Sequence, residues 1–103
     1  MIIYEEPYWT IYNKTKGMYL SVISKNGFGW SENHKDAIRF NYEQRQAAQI
    51  LMASYVRELW HNDKDTEELY LSEKRGYQKM LKMTLVNREF VFVDEEPNEQ
   101  EAR

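Results

Sequence analysis

Cysteine is missing from this chain of 103 residues, and histidine occurs only twice. The first absence excludes disulfides, thiolate nucleophiles, iron–sulfur clusters and cysteine-based zinc sites. The second leaves little for a metal centre, because His34 and His61 fall in different segments without a second ligand type at a suitable spacing. The stretch Asp63-Lys64-Asp65-Thr66-Glu67 looks briefly like a calcium loop. It lacks the glycine at the sixth position, and Lys74 stands where a bidentate glutamate is required. Glycine is scarce, and Gly27-Phe28-Gly29 is not followed by a lysine-bearing helix start, so no phosphate loop exists. No apolar run approaches the roughly 20 residues needed to span a bilayer, which excludes a membrane-spanning helix. No metal or cofactor is expected.

Catalytic constellations are equally thin. Ser31 and His34 are three residues apart, but no strained elbow surrounds the serine, which reads better as a cap for the following turn. The paired carboxylates Glu5-Glu6, Glu67-Glu68 and Glu95-Glu96 sit in polar stretches where burial would not perturb them. The chain therefore reads as non-enzymatic.

Excess charge is confined to one end. Five of the last ten residues, DEEPNEQEAR, are acidic and one is basic, which leaves residues 1–93 close to neutral. A segment this polar buries too little surface to offset its ordering entropy. We read residues 94–103 as a disordered acidic tail and residues 1–93 as a single domain, since two cores do not fit in this length. The N-terminal MIIYEEPYW carries acids where a signal peptide is basic, so a cytoplasmic protein is expected.

Strand patterning opens the chain. Tyr8–Tyr12 alternates, with Trp9 and Ile11 on one face and Tyr8, Thr10 and Tyr12 on the other. Met18–Ser24 alternates again, with Met18, Leu20 and Val22 opposite Tyr19, Ser21 and Ile23, and Asn26-Gly27 is a strong two-residue hairpin turn. Phe28–Trp30 completes a β-meander. Asn33–Ala37 reads as a helical turn and Ile38–Phe40 as a brief extended stretch. Asn41 and Gln44 then form a capping-box pattern ahead of a long helix over Tyr42–His61. In that helix Ala48, Leu51, Met52, Tyr55, Val56 and Leu59 recur at three- and four-residue spacings. A short second helix from Thr66 through Glu73, closed by Gly76, is expected next. Met80–Val86 and Phe90–Val93 read as strands, with Asn87-Arg88-Glu89 as the turn of a C-terminal hairpin. The fold class is α+β: an antiparallel sheet of 4–5 strands packed on one long amphipathic helix.

Aromatic residues are plentiful, with eight tyrosines, four phenylalanines and three tryptophans. Trp9, Trp30, Phe40, Trp60, Phe90 and Phe92 can fill the core, but tyrosines are harder to bury together because each hydroxyl needs a partner. Tyr8, Tyr12, Tyr19, Tyr70 and Tyr77 are therefore the candidate protein-binding residues, tyrosine being favoured in interfaces. The alternative is single-stranded nucleic acid. Lys74, Arg75, Lys79 and Lys82 form a basic stretch around Tyr77, and Lys14, Lys16 and Lys25 cluster at hairpin tips. Against it stands the near-neutral body, where phosphate-driven affinity needs a basic excess.

The segment containing Trp9, Gly17, Tyr19, Leu20, Gly29, Trp30, Ser31, Ala37, Phe40 and the helix with Ala47 and Ala48 resembles a pattern in small accessory proteins of tailed bacteriophages. The likeness covers residues 8–60. It implies a host-takeover type of protein that acts in the host cytoplasm by binding a host protein and modulating or inhibiting it. A minor virion or assembly component is a third reading.

Overall fold

The computed structural model describes residues 7–24, 27–75 and 77–95, with side-chain placement described for all of them except residues 23, 24, 74, 75, 77 and 78. Strands β1 (Tyr8–Asn13), β2 (Met18–Ser24) and β3 (Gly27–Ser31) form the meander. Two single 3₁₀ turns, His34–Asp36 and Tyr42–Gln44, lead into helix α1 (Arg45–His61). Strands β4 (Leu69–Arg75), β5 (Tyr77–Val86) and β6 (Glu89–Glu95) close the described chain. All six strands lie in one antiparallel sheet of order β3-β2-β1-β4-β5-β6. The α+β class holds; the sheet is larger than the expected four or five strands.

The additional strand is β4, where the sequence suggested a second helix. Leu69, Tyr70 and Leu71 are all buried, so alternation is hidden: Leu69 and Leu71 enter the core on one face while Tyr70 and Ser72 are buried on the other. Pairing on both sides, Ile11↔Leu71 toward β1 and Leu71↔Leu81 toward β5, outweighs the helical propensity of the segment. The expected stop at Gly76 lies outside the described residues, as do Asn26 and Lys25. At the other hairpin, Val86 pairs with Glu89, and Asn87 and Arg88 occupy the turn with φ of 51° and 69°. Two positive φ values match the primed turns that follow the twist of the flanking strands. Strand β6 also runs through Asp94 and Glu95, two residues into the segment read as tail.

The capping box forms as the sequence implies: Gln44 N–H donates to Asn41 Oδ1 at 2.9 Å, and Asn41 N–H donates to Gln44 Oε1 at 3.1 Å. The first turn is 3₁₀, and α1 proper begins at Arg45. Its buried stripe, Ala48, Met52, Ala53, Val56 and Leu59, packs on Trp9, Ile11, Leu20, Leu69, Leu71, Leu81 and Met83. Leu51 and Tyr55 flank this stripe half-buried.

Strands β1 and β2 pair directly only at Tyr12↔Tyr19 and Asn13↔Met18. Beyond that point the Ala37–Phe40 segment fills the space between them. Ala37 bridges to Ser21 on β2, and Phe40 exchanges two backbone hydrogen bonds with Trp9 on β1, at 2.6 and 2.8 Å. Ile38 and Phe40 turn toward the helix-side core, which leaves Arg39 on the opposite face.

Candidate functional site

The sheet face away from α1 collects four of the five tyrosines singled out from the sequence. Strand alternation places Tyr8 and Tyr12 of β1 opposite the core residues Trp9 and Ile11. Tyr19 of β2 stands beside Tyr12 through the direct register of the two strands, and their rings lie 5.0 Å apart. His34, on the 3₁₀ turn after β3, meets the Tyr19 ring edge-on at 5.0 Å. Burial, reinforced by the nearby Tyr12 hydroxyl, holds the Tyr19 phenol above its usual range. The Arg39 guanidinium covers the Tyr8 ring at 4.7 Å.

Tyr70 departs from expectation. It shares this face but is only 2% exposed. Its hydroxyl donates to Glu68 Oε1 at 2.8 Å, and Lys14 Nζ lies 5.8 Å from its ring centroid. Burial first, and the bond to Glu68 second, push its pKa up. Lys82 Nζ reaches the same Glu68 oxygen at 2.9 Å. The lysine bond, then the Tyr70 bond, hold the Glu68 carboxyl below the usual carboxylate range, so it stays ionised. Tyr70 is therefore buried with its hydroxyl satisfied by a local partner, where the sequence suggested an exposed ring. The backbone of Tyr77 pairs with Arg75, but its side chain, like those of Lys74 and Arg75, lies outside the described set.

Of the basic stretch, the two lysines whose side chains are described, Lys79 and Lys82, do not share a face. Lys82 lies on the tyrosine face. Lys79 shares the parity of Leu81 and Met83 and ion-pairs with Asp94 at 3.6 Å on the helix side. Two lysines three apart in a strand necessarily point to opposite faces.

The helix side carries a second feature that the sequence reading passed over. A cleft of about 300 Å³ opens between α1 and the β2–β3 hairpin, lined by Leu20, Phe28, Trp30, Leu51, Tyr55 and Glu58 among others. Trp30 and Tyr55 meet edge-on at 5.2 Å. Burial first, and the bond that Tyr55 donates to Glu67 at 2.7 Å second, raise the Tyr55 pKa to about 12. The alternation Phe28-Gly29-Trp30 put both aromatics on one side and was the available signal. Arg39 was equally legible, since its neighbours Ile38 and Phe40 had to face the core.

Among the described residues no group of three or more His, Asp or Glu is placed to hold a metal ion, and no helix is long and apolar enough to cross a membrane. No protein-family model, curated protein or solved structure matches the chain.

Proposed function

We propose that this chain is a small non-enzymatic binding protein of the phage accessory type, which engages a host protein through its tyrosine-bearing sheet face and alters that protein's activity. The observation that carries this reading is the Tyr12–Tyr19 pair, half-buried on a face that α1 does not cover, with Tyr8 under Arg39 on the same face four residues back along β1. Rigid aromatic rings with an arginine among them are the side chains on which interface energy concentrates. Their packing against each other means that little rotamer freedom is lost on contact. Arg39 over Tyr8 and Lys14 over Tyr70 put two cations on this face, which suits an acidic partner surface.

Nucleic acid fits this face less well. Glu68 already neutralises Lys82, Tyr70 is not open to stacking, and the chain carries a net −3. Phosphate contacts draw their strength from free cations.

The test is affinity capture from bacterial lysate using the wild type and a Tyr12→Ser/Tyr19→Ser variant of matched melting temperature, each with and without nuclease. A nuclease-resistant protein that the variant captures at least about tenfold less supports the proposal, in line with about 2 kcal/mol or more for loss of aromatic anchors. Capture that disappears with nuclease, weakens with salt and survives in the variant would transfer the function to nucleic-acid binding.

A further inference from the structure

The two edges of the sheet differ in chemistry. Strand β6 guards its outer edge with Glu89, Asp94 and Glu95, all exposed. Strand β3, Gly27-Phe28-Gly29-Trp30-Ser31, carries no charge, and no described residue pairs with its outer edge. Sheet proteins ordinarily blunt such an edge with charge, proline or a covering element, because its free N–H and C=O groups accept another strand.

The uncharged edge adjoins the cleft under α1. Phe28 and Trp30 form one wall, and Leu51, Ser54 and Tyr55 form the opposite one. Val22 and its cross-strand partner Phe28 are each 60% exposed on this same side. Glu58 is the sole charged residue lining the cleft, and its carboxylate makes no ion pair with any described residue.

We propose that β3 and this cleft bind an extended polypeptide segment that adds a strand to the sheet. The segment presents an apolar side chain to the cleft and a lysine or arginine two residues away to Glu58. Strand addition supplies main-chain hydrogen bonds, while alternate side chains supply selectivity. Residues i and i+2 of an extended chain share a face about 7 Å apart, so one segment can present both side chains to the cleft lining, where Leu51, Tyr55 and Glu58 recur along α1. The lone carboxylate selects the basic residue by charge complementarity. This site lies on the opposite side of the sheet from the tyrosines and stands independently of them.

The probe is a random peptide library selected on the full-length protein. Enriched sequences should share an apolar residue and a Lys or Arg at i+2. Selection on Glu58→Arg should replace the basic position with Asp or Glu, and a synthetic copy of the wild-type winner should bind that variant at least about tenfold more weakly. Phe28→Lys, which places a charge on an exposed edge position, should abolish enrichment. Tyr12→Ser/Tyr19→Ser should leave it unchanged. No enrichment, or a consensus indifferent to Glu58→Arg, overturns the site. Loss of binding in the tyrosine double variant alone also overturns it, by moving the peptide to the other face while leaving the proposed function intact.

Discussion

Asn13 Nδ2 and the Tyr55 hydroxyl both donate to one oxygen of Glu67, at 2.6 and 2.7 Å. Asn13 is fully buried at the end of β1, and its own Oδ1 accepts from Lys16 N–H at 3.0 Å, so the loop after β1 and the lead-in to β4 are fixed together. The sequence announced neither Glu67 nor Tyr55 as partners, because they are twelve residues apart and only the docking of α1 brings them into contact. Tyr70 shows the converse error: five tyrosines were read as contact residues on the premise that hydroxyls resist burial, yet Glu68 two residues away satisfies this one. Tyr55 yields a pH prediction. Its folded pKa is raised from 10.0 to about 12, so the stability this pair supplies is complete below pH 10 and is lost as pH climbs toward 12. Chemical denaturation across pH 8–12 should show a steeper alkaline decline for the wild type than for Tyr55→Phe. At pH 8 the variant should be about 1 kcal/mol less stable, the usual value of one hydrogen bond. Parallel curves would mean that Tyr55 does not hold its proton through Glu67.

Elements that kept their period in the sequence were legible, β1 among them although Thr10 is buried opposite Trp9 and Ile11; β4, whose period is hidden, was not. In α1 the three- and four-residue spacing of Ala48, Met52, Val56 and Leu59 gave the buried stripe, and Asn41-x-x-Gln44 gave its start. Strand β4 defeated the same reasoning because it pairs with both β1 and β5 and is buried on both sides, which erases the period of two. Its count of apolar residues was right and its geometry was not. The helix also separates two roles that sequence periodicity merges. Both border the cleft, but Met52 is 1% exposed and belongs to the core, whereas Leu51 is half-buried at its edge. Met52→Ala should cost about 2–4 kcal/mol, from lost burial plus the cavity left behind. Leu51→Ala should cost distinctly less, because its side chain borders open space that solvent already reaches. Urea denaturation of the two variants checks the order. Equal losses would show that the cleft closes over Leu51 in solution.

At the scale of the whole molecule, the sheet is two ribbons joined across a seam. The β3–β2 ribbon and the β1-β4-β5-β6 ribbon touch directly only near the Tyr12↔Tyr19 end. Elsewhere Ala37–Phe40 lies between them, which sets β1 and β2 about 10 Å apart there, twice the usual strand spacing. This wedge links both faces: Ile38 and Phe40 enter the core, and Arg39 covers Tyr8 on the opposite side. The tyrosine face and the cleft therefore sit on a common hinge line, so the rigidity of the wedge decides whether they are fixed relative to each other. Phe40 N–H donates to Trp9 carbonyl at 2.8 Å, Trp9 N–H to Phe40 carbonyl at 2.6 Å and Ile38 N–H to Leu20 carbonyl at 2.9 Å. With aromatic burial on one side and a cation–ring contact on the other, these bonds should open only with the whole fold. Native-state hydrogen exchange should then find the amides of Trp9, Ile38 and Phe40 as protected as that of Leu71 in β4, each reporting the global unfolding free energy. Exchange at the seam a hundredfold or more faster than at Leu71 would correspond to local opening at least about 2.7 kcal/mol below the global value. In that case the ribbons hinge independently, and the Tyr12–Tyr19 contact, which spans the seam, changes with that motion.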